Sequence, residues 1–252
     1  MTSSTRSLYD GASQSWQRSD PILLSDYTAR PFLLDWCEPV KAQTVLDLGC
    51  GEGYFARKLS RRGAGRIEGL DLSSEMIARA REQEAAQPLG IHYGVGNAPD
   101  LERFDTTCFD LVVAVFLFNY LDREATTATL SEIFRVLRPG GRLVFAVPHP
   151  SLPFMRAEEP PFYFARQDAG YFSGRDRNFE GRIDRRDGVS VPVRCVHKTL
   201  TDYFRALGAA GFQSMPEVEE LWATPEIVAV DPAFFGPLED QPLHLAFRLV
   251  KD

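Results

Sequence analysis

Hydrophobic positions along the chain alternate between short apolar runs typical of strands and longer amphipathic stretches typical of helices. The alternation is most regular between residues 44 and 147. The predicted strands are 45–48, 66–71, 91–95, 109–118 and 142–147, and the predicted helices are 53–62, 74–86 and 125–137. Strands that alternate with helices in this way are typical of an α/β fold with a mainly parallel sheet.

Two segments depart from this pattern. Apolar residues between 16 and 36 recur at helical intervals and predict two short helices, with Pro21 and Pro31 in their first turns, after a flexible, Ser- and Thr-rich start over 1–15. Residues 148–196 lack strong periodicity and are too long for an ordinary connection, so we expect a functional lid that contains a hairpin at Asp187-Gly188.

The C-terminal part predicts a helix over 198–210, followed by strands over 212–221 and 244–250 that pair in antiparallel fashion at the sheet edge. We therefore expect one domain over 1–252 with a Rossmann-like, doubly wound, seven-stranded sheet that is mostly parallel. A helical cap over 1–40 and an inserted substrate-binding segment over 148–198 complete the predicted architecture.

The turn after the first predicted strand carries glycines at 49, 51 and 53, at the strand-to-helix junction where open α/β sheets hold nucleotide-like ligands. A dinucleotide fingerprint requires Gly-x-Gly-x-x-Gly, but Tyr54 occupies the position of the last glycine. The carboxylates of Asp47 and Glu52 bracket the loop and favour a cation over a pyrophosphate. S-adenosylmethionine, which carries a sulfonium and an ammonium and no phosphate, fits this loop. Asp71 follows at the end of the second strand, where an acidic side chain accepts hydrogen bonds from ribose hydroxyls.

Asp-Leu-Gly-Cys-Gly-Glu-Gly over 47–53, together with Asp71, resembles the first motifs of the class I S-adenosylmethionine-dependent methyltransferases. Phe109-Asp-Leu-Val-Val-Ala-Val-Phe116 and Leu137-Arg-Pro-Gly-Gly-Arg-Leu-Val-Phe145 resemble the fourth strand and the turn and fifth strand of that family. The resemblance implies S-adenosylmethionine as cofactor, with Asn97 and Ala98 beside its adenine. The cofactor site that follows consists of Asp47, Gly49, Cys50, Gly51, Gly53, Tyr54, Asp71, Leu72, Met76, Asn97, Ala98, Val115, Phe116 and Tyr120.

Two histidines are candidate catalytic residues. His149 follows the fifth strand in Val-Pro-His-Pro, and His197 precedes the last long helix; both positions resemble a subgroup of bacterial small-molecule methyltransferases. A purely structural role stays open for each, as a turn-holding residue for His149 and a helix-start residue for His197. His92 and His244 lie in predicted strands and are expected to be structural.

Aromatic residues supply the candidate substrate contacts. The N-terminal segment of related methyltransferases lies across the pocket, which implies Tyr9, Trp16, Tyr27 and Arg30 as lining residues. The aromatic-rich excursion adds Phe154 and Tyr171, because pockets for apolar ligands are lined mainly by such side chains. Simple packing against the sheet is the alternative for each aromatic residue of the cap.

The composition of the chain limits the kinds of ligand and partner that we expect it to bind. The net charge of −7 and pI near 5.2 argue against a nucleic-acid surface and favour a small-molecule substrate. The four cysteines show no Cys-x-x-Cys pairing, so we expect no metal site and no disulfide framework. The chain has no apolar signal core and no membrane-length run, so we expect a cytoplasmic monomer or homodimer without membrane contact.

The sequence thus predicts methyl transfer from S-adenosylmethionine to an oxygen, nitrogen or carbon nucleophile of a small, aromatic or apolar metabolite, in specialised metabolism. The alternative is an S-adenosylmethionine-binding protein that catalyses a rearrangement or cyclisation without transferring the methyl group. The glycine spacing and Asp47 disfavour a dinucleotide-dependent oxidoreductase.

Overall fold

A computed structural model of the chain describes residues 3–16, 18 and 20–252. Positions 1, 2, 17 and 19 of the predicted cap lie outside the described residues. The strands are β1 (Thr44–Leu48), β2 (Arg66–Asp71), β3 (Ile91–Val95), β4 (Phe109–Val115), β5 (Leu137–Pro148), β6 (Phe162–Ala165), β7 (Asn178–Asp184), β8 (Ser190–Val196), β9 (Glu217–Leu221) and β10 (His244–Val250). The helices are α1 (Ser3–Trp16), α2 (Ser25–Thr28), α3 (Arg30–Trp36), α4 (Tyr54–Arg61), α5 (Ser74–Ala86), α6 (Arg123–Val136), α7 (Leu152–Met155), α8 (Leu200–Ala210), α9 (Pro225–Val230) and α10 (Pro232–Phe235), and single 3₁₀ turns lie at Phe118–Tyr120 and Gly236–Leu238.

Seven strands form the main sheet in the order β3-β2-β1-β4-β5-β10-β9. The first five are parallel, and β10 is antiparallel to both of its neighbours. The predicted seven-stranded α/β architecture with an antiparallel C-terminal edge is therefore confirmed. Because β10 runs against β5, its first residue, His244, pairs with Pro148 at the edge where the parallel strands end.

Two apolar layers cover the faces of the sheet. One contains α6 and α8 residues such as Ile133 and Leu207, and the other contains α3 and α4 residues such as Leu33 and Leu59. Residues 111–114 of β4 are fully buried, as expected for a strand covered on both faces.

Local signals explain where several helices begin. The hydroxyl oxygen of Ser73 accepts the Met76 amide at 3.1 Å, which confirms the predicted cap of α5. Thr199 and Asp202 form a reciprocal capping box at the start of α8. Pro31 lies in the first turn of α3 as predicted, whereas Pro21 precedes α2 by several residues and was wrongly placed in a first helical turn.

The excursion after β5 folds as a separate three-stranded antiparallel sheet, β6-β7-β8. The hairpin predicted at Asp187-Gly188 joins β7 to β8 and is confirmed. Alternate residues of these strands point into a third apolar cluster, which includes Phe162, Phe179 and Val193.

The N-terminal segment is more ordered than its composition suggests, because the predicted flexible start is helical from Ser3 onward. No helix within the described ranges is long and apolar enough to cross a membrane. Among those same residues, no group of three or more potential metal-ligating side chains occurs.

Candidate active site

Three glycines shape the turn between β1 and α4. Gly49, Gly51 and Gly53 have φ angles of 78°, 55° and 83°, in the left-handed region that favours glycine. The Gly49 amide donates to the Leu70 carbonyl at 2.7 Å, which fixes the turn to the end of β2. A Cβ atom at Gly53 would lie 2.4 Å from the Tyr93 hydroxyl oxygen, so a side chain at this position would collide with it.

Asp71 lies at the end of β2, beside this turn. Its Oδ2 accepts the Gly51 amide and its Oδ1 accepts the Ser73 amide, each at 2.9 Å. Burial raises the pKa of Asp71. The two bonds orient the carboxylate and leave further lone pairs on both oxygens for the hydroxyls of a ligand.

Asp47 is buried at the end of β1, and its Oδ2 has no hydrogen-bond partner among the described residues. Burial and the nearby charge of Asp71 raise the pKa of Asp47 to about 7. A buried acceptor without a partner costs free energy, and two neighbouring carboxylates repel each other. The arrangement therefore favours a ligand that brings positive charge.

Helix α1 lies across the cavity beside these carboxylates. The rings of Tyr9 and Tyr120 meet edge to face with centroids 5.3 Å apart, and Trp16 packs on Tyr9 at 5.7 Å. The Ser73 hydroxyl donates to Asp10 at 2.5 Å and connects α1 to the start of α5. These contacts hold the cap over the ligand edge of the sheet.

Two arginines extend the cap. Arg18 donates to both oxygens of Asp26 at 2.8 and 2.9 Å, and its guanidinium lies 4.1 Å from the centroid of the Tyr54 ring. Arg30 also pairs with Asp26, and it faces the Phe116 ring at 5.4 Å. Burial lowers the pKa of Arg30 to about 10, so this side chain remains cationic at neutral pH.

The far side of the same cavity is apolar. Its wall consists of Pro148 from β5 and alternate residues of the three-stranded sheet, namely Phe162, Phe164, Ile183 and Val193. Phe116, directly after β4, has a φ of 61°, which is a strained conformation for a residue with a side chain and is typical of functional positions. The cavity therefore has a charged end beside the glycine turn and an apolar end beneath the inserted sheet.

Most of the predicted cofactor residues line this one cavity. They are Asp47, Gly49, Cys50, Gly51, Tyr54, Asp71, Leu72, Met76, Val115, Phe116 and Tyr120, and the cap residues Tyr9, Trp16 and Arg30 join them. Gly53 supports the turn without lining the cavity. Asn97 and Ala98 also lie outside the lining: Ala98 packs in the core, and Asn97 has a buried Oδ1 without a partner among the described residues.

The structure places both candidate catalytic histidines outside the cavity lining, which corrects their expected position. Nε2 of His149 lies 2.8 Å from Oε1 of Glu220, and its Nδ1 accepts the Ser151 amide at 3.2 Å. Nε2 of His197 donates to the Tyr171 carbonyl at 2.8 Å, and the ring stacks on Phe179. Burial lowers the pKa of both histidines. Their environments are those of packed, hydrogen-bonded side chains.

Three predicted substrate contacts also lie elsewhere. The Tyr27 hydroxyl donates to the Pro21 carbonyl, and the Tyr27 ring packs against Phe235. Phe154 and Tyr171 meet edge to face, 5.6 Å apart, in the aromatic cluster around His197. Tyr27 and Phe154 pack against the apolar core of the insert, and the wall of the cavity comes from β6, β7 and β8.

Sequence reasoning missed His244 and Arg18, which both line the cavity. A usable signal for His244 was present. A last strand that pairs antiparallel with its neighbour places its first residue at the carboxyl edge of the parallel strands, where ligands bind. Arg18 had no comparable signal, because its position depends on the tertiary contact with Asp26.

Comparison with known proteins agrees with this geometry. A family described as "methyltransferase domain" matches residues 45–141. An uncharacterised protein of Haemophilus influenzae is 31% identical over 208 residues, covering 81% of this chain and 80% of that protein. A malonyl-[acyl-carrier protein] O-methyltransferase of Pectobacterium atrosepticum is 41% identical over 102 residues, which is 40% of this chain and only 37% of the relative's length.

Among solved structures, an S-adenosylmethionine-dependent methyltransferase from Mesorhizobium loti superposes with a TM-score of 0.65 and 27% identity. The match covers 87% of this chain and 96% of that one. The similarity therefore includes both the sheet and most of the surrounding elements.

Proposed function

The chain belongs to the class I S-adenosylmethionine-dependent methyltransferases, and from this membership we propose that it methylates an oxygen, nitrogen or carbon nucleophile of a small, apolar or aromatic molecule. The observation that carries the proposal is one continuous cavity. Its charged end is built from the glycine turn and two buried carboxylates, and its other end is walled by apolar side chains of the insert.

The residues at the charged end suit the cofactor. The free lone pairs of Asp71 match the ribose hydroxyls, and the unpartnered Oδ2 of Asp47 matches a cationic group. The hydrogen bonds of Arg30 within the described chain come from Nη1, toward Ser25 and Asp26, which leaves donors for the carboxylate of the methionine moiety. Tyr54 and Met76 supply apolar contacts along the same groove.

S-adenosylmethionine, when bound, supplies a methyl group activated by the positive sulfur. The contribution of this chain is to hold the acceptor in line with that methyl group and to exclude water. Tyr9 and Trp16 of α1 cover the cavity, while Phe116 and Phe162 offer flat apolar surfaces to an acceptor. Such walls favour an acceptor with an aromatic or hydrocarbon body.

The test measures release of S-adenosylhomocysteine against a panel of hydroxyl, amine and carbon nucleophiles on apolar bodies, together with the product mass. A product heavier by one methyl group supports the proposal. A product of unchanged mass, formed only when S-adenosylmethionine is present, would support the non-methylating alternative. Calorimetry with S-adenosylhomocysteine and NAD separates both from a dinucleotide enzyme, since only the former should bind.

A further inference from the structure

His244 is a buried histidine whose ring lines the apolar end of the cavity, with 2% of its surface exposed. Its ring centroid lies 5.0 Å from that of Phe116 and 6.0 Å from that of Phe162, and both of these rings also line the cavity. The histidine therefore lies among the side chains that would surround an acceptor.

The protein fixes the tautomer of this histidine. Nε2 lies 3.0 Å from the hydroxyl oxygen of Thr28, and that hydroxyl lies 3.1 Å from the carbonyl of Leu24. A carbonyl only accepts, so the Thr28 hydroxyl donates to Leu24, and its oxygen accepts the hydrogen on Nε2. The proton of the neutral ring is thus on Nε2, and Nδ1 carries a lone pair.

Nδ1 has no hydrogen-bond partner among the described residues, although it is buried. Burial lowers the pKa of His244 to about 3, and the charges of Arg30 and His149 act in the same direction. The ring therefore stays neutral at physiological pH, and Nδ1 stays an acceptor. Buried acceptors are nearly always satisfied, and a ligand in this cavity can bring the donor that Nδ1 lacks.

Accepting the proposed methyl transfer, we propose that Nδ1 of His244 accepts the hydrogen of a hydroxyl group on the acceptor, so that the protein is an O-methyltransferase for an alcohol, enol or phenol with an apolar body. Thr28 is the positioning residue, because it holds the ring in the required tautomer. Phe116 and Phe162 flank the ring and the acceptor body.

The proton balance favours oxygen. As the acceptor oxygen bonds to the methyl carbon, the carbon–sulfur bond breaks with its electron pair on sulfur, and the positive charge passes to the methylated oxygen. That oxonium is far more acidic than any imidazolium, so its proton passes to Nδ1 even though the histidine is a weak base, and solvent takes the proton after product release. A methylated amine is more basic than this histidine and would keep its proton. A carboxylate has no hydrogen to offer, and its lone pairs would face that of Nδ1.

The experiment uses the full chain and three probes that share one apolar body: 2-naphthol, 2-naphthylamine and 2-naphthoic acid. Binding of S-adenosylhomocysteine is measured first, because its absence would defeat the proposed function itself. With the cofactor site intact, we expect methylation of 2-naphthol to exceed that of the other two probes. Turnover confined to the amine or the acid would overturn the assignment of His244.

A second readout does not depend on turnover. In protein with ¹⁵N-labelled histidine, saturated with S-adenosylhomocysteine, the Nδ1 resonance of His244 should report the neutral Nε2–H tautomer and shift on addition of 2-naphthol. The signal is assigned by its loss in His244→Gln. A Nδ1 resonance that ignores 2-naphthol up to its solubility limit would overturn the inference.

Two substitutions distinguish the role of Nδ1 as a hydrogen-bond acceptor from the packing of the imidazole ring. In His244→Gln the amide reaches Thr28 and no acceptor replaces Nδ1, whereas in His244→Asn an amide oxygen falls near the position of Nδ1. We expect kcat/KM for a hydroxyl acceptor to fall by about 100-fold in the Gln variant and to be partly rescued in the Asn variant, with unchanged affinity for S-adenosylhomocysteine. His92→Gln, an exposed histidine on β3, is the matched control. Equal loss in both His244 variants, or none in either, would contradict the role of Nδ1.

Discussion

The charged and apolar ends of the cavity are built in different ways. Most of the charged end comes from residues that are close in sequence, between Asp47 and Met76, with Arg30 added from the cap, and backbone hydrogen bonds such as that from Gly49 to Leu70 fix it. The apolar end gathers Thr28, Phe162 and His244 from distant parts of the chain. The charged end, where the cofactor is expected, is therefore formed mainly by local sequence. The apolar end, where the acceptor is expected, is formed by tertiary packing.

The two ends also differ in electrostatics. Asp47 and Asp71 are buried acids whose pKa values are raised, and a cationic ligand would relieve them. At the other end the only cavity-lining histidine among the described residues is neutral and lacks a donor. The charged end thus suits a cationic ligand, and the apolar end suits an apolar ligand with one hydrogen-bond donor.

The largest expected effect tests whether the two ends are separable. Phe179 is fully buried in the core of the insert and does not line the cavity. Phe179→Ala should lower the free energy of unfolding by about 3–5 kcal/mol, through lost burial and a residual void. Affinity for S-adenosylhomocysteine, measured calorimetrically on the still-folded variant, should stay close to that of the wild type.

The exposed Phe172 of the same insert provides the control. Its replacement by alanine should change stability by no more than about 0.5 kcal/mol in urea unfolding. If Phe179→Ala also weakened cofactor binding by about tenfold or more, the two ends of the cavity would be energetically coupled.

Acidification gives the next effect. Because the folded pKa of His244 is about 3, the unfolded chain binds a proton near pH 6.5 that the folded chain does not, so stability falls as pH drops below 6.5. Between pH 7 and pH 5 this group should cost about 2 kcal/mol of unfolding free energy. The raised pKa of Asp47 acts in the opposite sense, so only the difference between wild type and His244→Asn isolates the histidine.

Urea unfolding of both proteins at the two pH values measures this difference. Between pH 7 and pH 5 the unfolding free energy of the wild type should fall by about 2 kcal/mol more than that of the variant. Equal losses in the two proteins would mean that His244 is not buried in the neutral form, and the fixed tautomer would lose its support.

The contrast also explains what the sequence could reveal. The succession of strands and helices, the glycine turn and Asp71 follow from local patterns, since strand, turn and helix signals are contiguous from 45 to 86. Helix α1 was missed because its composition is polar, and contacts such as Tyr9 on Tyr120 hold it in place. The starts of α9 and α10 are marked in the sequence by Thr224-Pro225 and Asp231-Pro232, a capping residue followed by a proline.

The acceptor end was harder to predict for a physical reason. His149 and His197 flank elements that reach the ligand edge of the sheet. The direction of a side chain at a strand end depends on the local turn, and both histidine side chains point into packed environments. Phe154 and Tyr171 of the excursion were expected to contact the substrate, but neither lines the cavity. Which aromatic residues of the excursion face the cavity depends on the register of β6-β7-β8, and this cannot be read from composition.

A smaller effect is expected at Asp71. Asp71→Asn keeps the shape of the side chain but replaces one acceptor oxygen with a donor that faces a backbone amide. Affinity for S-adenosylhomocysteine should weaken by more than about 1 kcal/mol, because charge-assisted bonds to the ribose are lost. Asp105→Asn makes the same charge change at an exposed position and should leave binding unaltered. Unchanged affinity in the Asp71 variant would mean that the ribose lies elsewhere.

The last effect concerns Asp47, whose pKa is raised to about 7 in the free protein. A bound sulfonium and ammonium favour the ionised carboxylate, so binding of S-adenosylmethionine should release a fraction of a proton at neutral pH. The sign follows from linkage: the complex binds fewer protons, so affinity rises with pH and should fall about fivefold from pH 7 to pH 6. Calorimetry in two buffers of different ionisation enthalpy measures the release, and Asp47→Asn should abolish it. A pH-independent affinity in the wild type would show that this carboxylate does not hold the cation.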